Sequence, residues 1–420
     1  MVGDCRVRRG APLVAMYMTV VDRVSPPSPA RPASSRSPFV RLRELLGDLP
    51  PGMPAISLAV GEPQHAVPSF VGPVLAAHLA EFGRYPMNKG LDEFCAAAAQ
   101  WLARRFKLPR PIDPASEVLV LNGSREGLFL AALAAPNWVN GRAGRPAILM
   151  PNPFYGVYEA GAISANCEPV YLAATAETGF LPDLDALPEE LLARTVAFYL
   201  ASPANPQGSV ADPAYFARLV ALARRHGFVL FSDECYSEIY TQQPPASALE
   251  QAGPDFQNVV VFQSLSKRSN LPGLRVGFVA GDRNFLSAFL ELRNVSSPQV
   301  PLPAQRVAIA AYADEAHVEE NQRLYKLKFD LADQILGGRY GYRRPAGGFL
   351  LWLDVSQHGG DEAVTLRLWR EAGLRVVPGR YLARDQADGS NPGAGYIRVA
   401  LVQDQETTAE ALHRLVGVLG

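Results

Sequence analysis

The chain lacks the cysteine and histidine patterns that mark disulfide scaffolds and common metal enzymes. Its 420 residues include four cysteines and six histidines. The cysteines lie far apart without a Cys-x-x-Cys pair, and no His-Glu-x-x-His sequence occurs. Gly-x-Gly-x-x-Gly and Gly-x-x-x-x-Gly-Lys-Ser/Thr motifs are also missing. The sequence therefore gives no support for a disulfide-rich secreted protein, a zinc hydrolase, a simple dehydrogenase or a nucleotide kinase. We also expect no metal site.

Excess charge of one sign and long apolar runs are also scarce. The formal net charge is -1 and no Lys/Arg run is sustained, so nucleic acid is not an expected partner. The first residues superficially suggest a signal peptide, with arginines before an apolar run from Ala11 to Val21. A proline, a tyrosine and a threonine interrupt that run, and no other stretch approaches the roughly 18 apolar residues of a membrane span. We expect residues 1–35 to be a disordered extension, and the protein to be cytoplasmic and not membrane-bound.

Lysine is rare as well, and one lysine has an unusual position. The chain contains five, and Lys267 alone directly follows an apolar, β-branched run, Val259 to Gln263. Such a run is typical of an interior strand of a parallel sheet, and ligands collect at the carboxyl ends of these strands. The pattern predicts that this strand delivers an amine into a cleft. The alternative is a surface lysine that caps the strand.

The order of apolar and helical segments predicts the fold class. Seven strands are predicted, several of them separated by helical stretches, at residues 118–121, 147–150, 170–172, 196–201, 229–232, 259–263 and 276–280. Strands that alternate with helices indicate a largely parallel sheet covered on both faces. After a helical region to about residue 336, strands at 349–353 and 396–401 indicate a smaller α+β unit. We therefore expect an N-terminal arm of the small domain (36–60), a large α/β domain (61–295), and an interdomain helix with the small C-terminal domain (296–420).

Four loops at predicted strand ends carry residues suited to one kind of ligand. Gly123-Ser124-Arg125 begins a predicted helix, where free backbone N–H groups favour an anion, although Gly and Ser also cap helices that bind nothing. Tyr155 ends a proline-stiffened loop, but aromatic rings are more often core residues. Asn205 lies in a proline-rich turn that turn composition alone could explain. Asp233 ends an apolar strand, where an acid is costly unless a metal or another cation, such as a protonated ring nitrogen, pairs with it.

Taken in order, these segments resemble a known family. The segments are Gly-Ser-Arg-Glu, Pro-Asn-Pro-Phe-Tyr, Asn-Pro-x-Gly, Asp-Glu-x-Tyr and Ser-Leu-Ser-Lys-Arg-Ser-Asn-x-Pro-Gly-x-Arg. The chain resembles the class I/II pyridoxal-phosphate aminotransferases of fold type I, over nearly its whole length from about Phe39. The runs Glu-Cys-Tyr-Ser-Glu-Ile-Tyr and Ser-Lys-Arg-Ser-Asn are most similar to N-succinyldiaminopimelate aminotransferases. The resemblance implies an α/β fold with a mostly parallel seven-stranded sheet and a smaller α+β domain.

The resemblance also implies a role for each candidate residue. Lys267 would bind pyridoxal 5′-phosphate covalently and shuttle a proton, and Asp233 would keep the pyridine nitrogen protonated. Asn205 and Tyr236 would hydrogen-bond the phenolic oxygen, and Tyr155 would stack on the ring. The remaining residues would bind the phosphate: Gly123, Ser124, Arg125, Ser264, Ser266 and Arg275, with Tyr85 from a neighbouring subunit of a homodimer.

Arg398 is the candidate for binding the substrate. It lies in an apolar predicted strand, where an arginine needs an anionic partner. That partner is either an internal Asp or Glu or, as the resemblance implies, the substrate α-carboxylate, with the backbone near Gly61 assisting. A substrate with carboxylates at both ends needs further cations, and Arg36, Lys89 and Arg268 are the candidates. The alternative for each is a solvated surface charge.

The implied function is amino transfer from L-glutamate to a 2-oxo acid. The acceptor suggested by the resemblance is N-succinyl-2-amino-6-oxopimelate, on the lysine and cell-wall precursor route. Alternatives on the same fold are an aminotransferase for aspartate, an aromatic acid or kynurenine, and a β-eliminating C–S lyase. A non-enzymatic regulator that binds pyridoxal phosphate would usually bring a DNA-binding module, and the sequence shows neither a helix-turn-helix pattern nor a basic patch.

Overall fold

The computed structural model describes residues 36–142 and 144–420. The prediction of a disordered extension over residues 1–35 lies outside this part of the chain. Ser37–Gly420 forms one unit by its internal packing. The domain limits expected after residues 60 and 295 therefore stay predictions.

The elements of the described chain are as follows. The α-helices are α1 (Pro38–Leu46), α2 (Val71–Ala77), α3 (Asp92–Arg105), α4 (Ser124–Trp138), α5 (Val157–Ser164), α6 (Glu189–Arg194), α7 (Pro213–His226), α8 (Leu265–Arg268), α9 (Arg283–Ser296), α10 (Leu302–Ala313), α11 (Ala316–Leu336), α12 (Asp361–Ala372) and α13 (Gln405–Leu419). The strands are β1 (Ile56–Ser57), β2 (Val118–Leu121), β3 (Ala147–Asn152), β4 (Glu168–Ala173), β5 (Thr195–Ala201), β6 (Val229–Asp233), β7 (Val259–Ser264), β8 (Gly277–Gly281), β9 (Leu350–Asp354), β10 (Leu374–Arg375), β11 (Val377–Pro378) and β12 (Tyr396–Ala400). No helix among the described residues is both long enough and apolar enough to cross a membrane.

A seven-stranded sheet lies at the centre of the fold, in the order β2-β8-β7-β6-β5-β3-β4. Strand β8 is antiparallel to both of its neighbours, and the other four pairs are parallel. These are the seven predicted strands, so the prediction of an α/β fold with a mostly parallel sheet is confirmed.

Both faces of this sheet are buried. Val259 and Val261 of β7 belong to the hydrophobic cluster that includes residues of α3, α7 and α10. Val260 and Phe262 belong to the cluster on the other side, with residues of α4, α5 and α9. Successive strand side chains point to opposite faces, so a strand covered on both sides needs an uninterrupted apolar run. Burial of each such side chain contributes about 1.5–3 kcal/mol, which explains why apolar runs mark these strands in the sequence.

Two smaller sheets bring the two ends of the described chain together. Strands β11, β12 and β9 form an antiparallel sheet in that order, and β1 pairs with β10 in parallel. Ile56 of β1 is thereby opposite Leu374 of β10. This pairing places the segment after β1, Leu58 to Gly61, beside the end of β12, because the Ala400 N–H donates to the carbonyl oxygen of Leu58 at 2.9 Å.

Candidate active site

The carboxyl ends of β2, β3, β5, β6 and β7 lie at one edge of the central sheet, since β8 is the strand with reversed direction. Gly277 of β8 pairs with Leu121 of β2 on one side and with Ser264 of β7 on the other. Asp233 ends β6, which lies beside β7 in the sheet. The four predicted loops and Lys267 therefore start from neighbouring strand ends.

Lys267 lies in α8, a four-residue helix that begins directly after β7. Its Nζ donates to the carbonyl oxygen of Gly61. The same atom lies 5.2 Å from the ring centroid of Phe349 and 5.8 Å from that of Tyr236. Burial lowers the pKa of Lys267 to about 8, because the ammonium form loses hydration. Near neutral pH this amine is therefore neutral and nucleophilic more often than a surface lysine.

Asp233 is a buried acid whose contacts are all uncharged. The residue is 8% exposed, and its carboxylate accepts hydrogen bonds from the Tyr158 hydroxyl at 2.7 Å and the Cys235 N–H at 3.3 Å. No ion pair to it forms within residues 36–142 and 144–420, and burial raises its pKa. A protonated ring nitrogen at this carboxylate would supply the missing positive charge. Within the described ranges, no group of three or more His, Cys, Asp or Glu is placed to hold a metal ion.

Arg398 is the opposite case, a buried cation. The residue is 4% exposed, and its guanidinium donates to Asn205 Oδ1 at 3.1 Å and to the carbonyl oxygen of Ala59 at 2.6 Å. Its Nε is buried without a partner, and burial lowers its pKa to about 10. The internal Asp or Glu considered as a partner is not found among the described residues. The arrangement leaves a desolvated guanidinium able to receive a carboxylate.

A cradle for an anion surrounds the first turn of α4. Gly123 has φ +75°, and a Cβ at this position would overlap the guanidinium of Arg275. Ser124 begins α4, so its N–H is one of the free donors of the helix terminus. Ser264 and Ser266 lie at the adjacent end of β7, where the Ser266 N–H donates to Ser264 Oγ at 3.2 Å. Backbone donors, hydroxyls and a guanidinium together suit a phosphate group.

Two tyrosines border the site. Arg125 Nε donates to the Tyr155 hydroxyl at 2.6 Å, so this arginine positions the tyrosine ring in addition to any contact with an anion. The ring of Tyr236 packs edge-on against Phe349, with centroids 5.3 Å apart. Burial raises the pKa of both tyrosines, which keeps their hydroxyls protonated as hydrogen-bond donors at neutral pH.

Arg268 does not take the position expected of it. Its guanidinium donates to the carbonyl oxygen of Ala311 at 2.7 Å and to Glu315 Oε1 at 2.8 Å. It also lies 5.4 Å and 5.3 Å from the ring centroids of Trp101 and Tyr312, and the residue is only 3% exposed. The guanidinium is thus buried and paired with the partly exposed Glu315, while its Nε has no partner. The structure does not support the expected contact between Arg268 and a distal carboxylate of the substrate, which stays a prediction.

Three other candidates stay predictions. Lys89 Nζ lies 3.0 Å from Asp92 Oδ1 in a partly exposed ion pair, and Arg36 is exposed. Tyr85 is 96% exposed, so its ring is not held within its own subunit. A role for Tyr85 requires a contact from outside the chain.

Two side chains in the site were missed from the sequence. They are the Tyr158 hydroxyl that donates to Asp233 and the Phe349 ring beside the Lys267 amine. The Ala59 carbonyl that accepts from Arg398 lies in the backbone segment near Gly61 that was expected to assist. No local pattern separates Tyr158 from an ordinary core tyrosine. The glycine pair at 347–348, directly before Phe349, was a usable signal, because glycine often marks a place where other groups approach the backbone closely. In the structure a Cβ on Gly347 would overlap Pro203.

The chain is similar to known proteins over most of its length. A family model described as aminotransferase class I and II matches residues 54–415. LL-diaminopimelate aminotransferase of Syntrophobacter fumaroxidans (strain DSM 10017 / MPOB) is 33% identical over 370 residues, which are 87% of this chain and 91% of that protein.

Two solved structures are similar over almost the whole chain. An aminotransferase from Neisseria meningitidis Z2491 has a TM-score of 0.86 and 40% identity, covering 92% of this chain and 98% of that one. A probable N-succinyldiaminopimelate aminotransferase from Thermus thermophilus has a TM-score of 0.80 and 27% identity, covering 91% and 100%.

Proposed function

Because this chain belongs to the class I and II aminotransferases, we propose that it transfers an amino group between L-glutamate and N-succinyl-2-amino-6-oxopimelate in the cytoplasm. The family depends on pyridoxal 5′-phosphate, which when bound supplies an electron sink for negative charge at the substrate Cα. The observation that carries the proposal is a pair of buried charges, the carboxylate of Asp233 and the guanidinium of Arg398, for which residues 36–142 and 144–420 supply no counter-charge. A pyridinium nitrogen and a substrate carboxylate are the two groups that would offset them.

Each residue of the site has its own role in the proposed reaction. Lys267 would hold the cofactor through its amine and would move a proton at the substrate Cα. Asp233 would hold the proton on the ring nitrogen of the bound cofactor, and Tyr158 orients Asp233 by its hydrogen bond. Arg398 binds the α-carboxylate while Asn205 and the Ala59 carbonyl fix the guanidinium. Tyr236 would donate to the phenolic oxygen of the cofactor, and the cradle around Gly123 would bind its phosphate.

The choice of acceptor rests on the two named relatives and on the segment after Asp233. The Syntrophobacter relative is named for LL-diaminopimelate, and the Thermus structure for the N-succinyl form of that compound. Both compounds carry a second carboxylate far from the reacting carbon. The Glu-Cys-Tyr-Ser-Glu-Ile-Tyr run favours the succinylated form, and unmodified LL-diaminopimelate is the second candidate because of the Syntrophobacter relative.

Reverse transfer to 2-oxoglutarate separates these candidates. We expect kcat/KM for N-succinyl-LL-diaminopimelate to exceed that for LL-diaminopimelate by at least about tenfold, since a pocket built for a neutral amide leaves a distal ammonium unpaired. Initial rates of glutamate formation with each donor measure the ratio. Higher kcat/KM for LL-diaminopimelate would establish the second candidate. In the forward direction, preference for oxaloacetate or an aromatic 2-oxo acid would remove both.

The exposed apolar side chains near Tyr85 support a homodimer. Leu79, Phe82 and Met87 are 59%, 59% and 64% exposed, and Tyr85 is 96% exposed. Large apolar side chains that cluster on the surface mark contact sites more often than isolated ones do. We propose that a second copy of the chain covers this segment and that Tyr85 reaches the phosphate cradle of that copy.

A mixed dimer tests the contribution of Tyr85 from the partner. One subunit carries Tyr85→Phe and the other carries Lys267→Ala. If Tyr85 acts across the interface, one site contains both changes and the other contains neither. The dimer should then retain about half of the wild-type kcat with unchanged cofactor affinity.

The opposite arrangement gives a different result in the same measurement. If Tyr85 serves its own subunit, the site that retains Lys267 lacks the tyrosine hydroxyl. Cofactor affinity at the active site would then fall about tenfold, as for loss of a hydrogen bond to a charged group. The Tyr85→Phe homodimer provides the reference value for that loss.

A further inference from the structure

A chain of three hydrogen bonds connects a buried lysine to the backbone of Lys267. Lys328 Nζ lies 2.7 Å from His65 Nε2, and His65 Nδ1 lies 2.6 Å from Asn321 Oδ1. Asn321 Nδ2 in turn donates to the carbonyl oxygen of Lys267 at 3.2 Å. Lys328 and Asn321 are 1% and 2% exposed and His65 is half-buried, so solvent has little access to the two ends of this chain of bonds.

Chemistry fixes the direction of each bond in this chain. The Lys267 carbonyl oxygen can only accept, so the NH₂ group of Asn321 faces it and the amide oxygen faces His65. That oxygen also only accepts, so His65 carries its proton on Nδ1 and leaves Nε2 as an acceptor. The ammonium of Lys328 can only donate, and Nε2 is the acceptor beside it. Both ends of the chain thus require the same neutral tautomer of His65.

The electrostatics agree with this assignment. Burial lowers the pKa of His65 and lowers that of Lys328 to about 8, so near neutral pH the histidine is neutral and most of the lysine is charged. The nearby acids are Glu320, which acts on His65, and Asp404, which acts on Lys328. The ring of Tyr325 packs against His65 with centroids 4.5 Å apart.

The chain of bonds joins three segments of the active site. His65 follows Gly61, whose carbonyl accepts from the Lys267 amine. Lys328 also donates to the carbonyl oxygen of Leu401 at 3.2 Å, just beyond Arg398 in sequence. The amine and the backbone of Lys267 are therefore both tied to the segment from residue 61 to 65.

Helix α11, which carries Asn321 and Lys328, makes a second polar contact with the segment after Lys267. His317 Nδ1 lies 2.7 Å from Asp314 Oδ1, and His317 Nε2 lies 2.8 Å from Ser269 Oγ. The order of groups is that of a Ser-His-Asp nucleophile, but Ser269 is 0% exposed. A substrate cannot reach its hydroxyl, so this contact serves to attach α11 to the segment that carries Lys267.

We propose that Lys328, His65 and Asn321 form one positioning relay that holds the backbone of Lys267 in register with the segment from residue 61 to 65. The proposal rests on the proposed role of Lys267 in proton transfer. None of the three residues touches substrate; they act by fixing the origin of the Lys267 side chain. Since a misplacement of about 1 Å can cost on the order of 10²-fold in rate, loss of the relay should lower kcat more than it changes KM.

The tautomer of His65 tests the relay without any activity measurement. In protein labelled with ¹⁵N-histidine, the His65 signals are assigned by their loss in His65→Phe, which keeps a ring against Tyr325. At neutral pH the wild type should show Nδ1 protonated and Nε2 unprotonated, the less common neutral form in water. Detection of a proton on Nε2 at neutral pH, in the other neutral tautomer or in the imidazolium, would overturn the relay.

Kinetics of two variants test whether the relay positions Lys267. Asn321→Asp keeps the shape and the acceptor for His65 but removes the donor to the Lys267 carbonyl, and Lys328→Met removes the terminal cation. We expect each to lower kcat per bound cofactor about tenfold, with KM for the amino donor within about twofold. Lys326→Met, on the exposed face of the same helix, is the matched control and should match the wild type.

The double variant Asn321→Asp/Lys328→Met distinguishes one relay from two separate effects. Residues of one network are not additive, so its kcat should be close to that of either single variant. A product of the two losses, about 100-fold, would show independent sites and refute the relay, as would kcat within twofold of wild type in both folded single variants. Absence of transfer by the wild type with every acceptor would instead reject the proposed function, and the tautomer of His65 would still decide the relay.

Discussion

Replacing Lys267 with alanine will abolish amino transfer, lowering kcat by at least about 10⁴-fold. In the proposed function one side chain would supply both the covalent attachment of the cofactor and the base that moves the substrate proton, so both would be lost together. No other lysine can substitute: Lys89 is paired with Asp92, Lys107 and Lys326 are exposed, and Lys328 is buried against His65. The measurement is the rate of 2-oxoglutarate formation from glutamate with a panel of 2-oxo acids.

The variant should remain folded and should still bind the cofactor through the cradle around Gly123. Lys326→Ala serves as the control, since it removes an exposed lysine and should keep wild-type rates. Reduction of the wild-type holoenzyme with borohydride, followed by peptide mapping, locates the covalent attachment independently. A pyridoxyl label on any lysine other than Lys267 would disprove the assignment.

The central sheet could be predicted from the sequence because its strands are buried on both faces. The run Val259 to Gln263 carries that signal by itself, and the observed strand extends only one residue further. Helix α7 was equally predictable from the sequence. Asp212 caps its first turn, Pro213 is its first residue and Gly227 follows its end with φ +68°. The direction of β8 was not predictable, because an apolar run has the same composition whichever way the strand runs.

Arg268 shows why adjacency in sequence misleads near a site. It follows Lys267 directly, which suggested that both side chains line one entrance. In a helix, however, consecutive residues are about 100° apart, since a turn takes about 3.6 residues. In α8 the first side chain meets the Gly61 carbonyl and the second is buried with Glu315. Neighbouring residues at the end of a strand that turns into a helix thus serve different parts of the protein.

Residues that meet only through the tertiary fold left no local pattern. His65 and Lys328 are 263 positions apart, and either one reads as an ordinary surface residue in the sequence. Arg398 is an intermediate case, because its apolar strand indicated a required anion without saying which one. The described structure offers it an amide and a carbonyl oxygen but no carboxylate, which favours an anion brought by the substrate.

Asparagine in place of Asp233 should lower kcat by roughly 10²- to 10³-fold, comparable to the loss of one preorganised electrostatic group in other enzymes. An amide cannot hold a proton on the ring nitrogen as a carboxylate does, so the electron sink weakens. The fold should be retained, because the amide oxygen can still accept from the Tyr158 hydroxyl. Tyr158→Phe, which removes only that hydrogen bond, should show a much smaller loss of kcat.

Thermal unfolding of the cofactor-free protein provides a second test of Asp233→Asn, in which we expect stability to rise although turnover falls. Burial raises the pKa of Asp233 above its unfolded value, so folding is favoured below the unfolded pKa and this advantage is lost as pH rises through the folded pKa. At neutral pH the unpaired carboxylate therefore costs stability, and Asp233→Asn should raise the Tm of the cofactor-free protein while it lowers turnover. An acid kept only for structure would behave in the reverse way, with near wild-type turnover and a lower Tm in the variant. Stabilisation together with loss of catalysis is the signature of a charge retained for the cofactor.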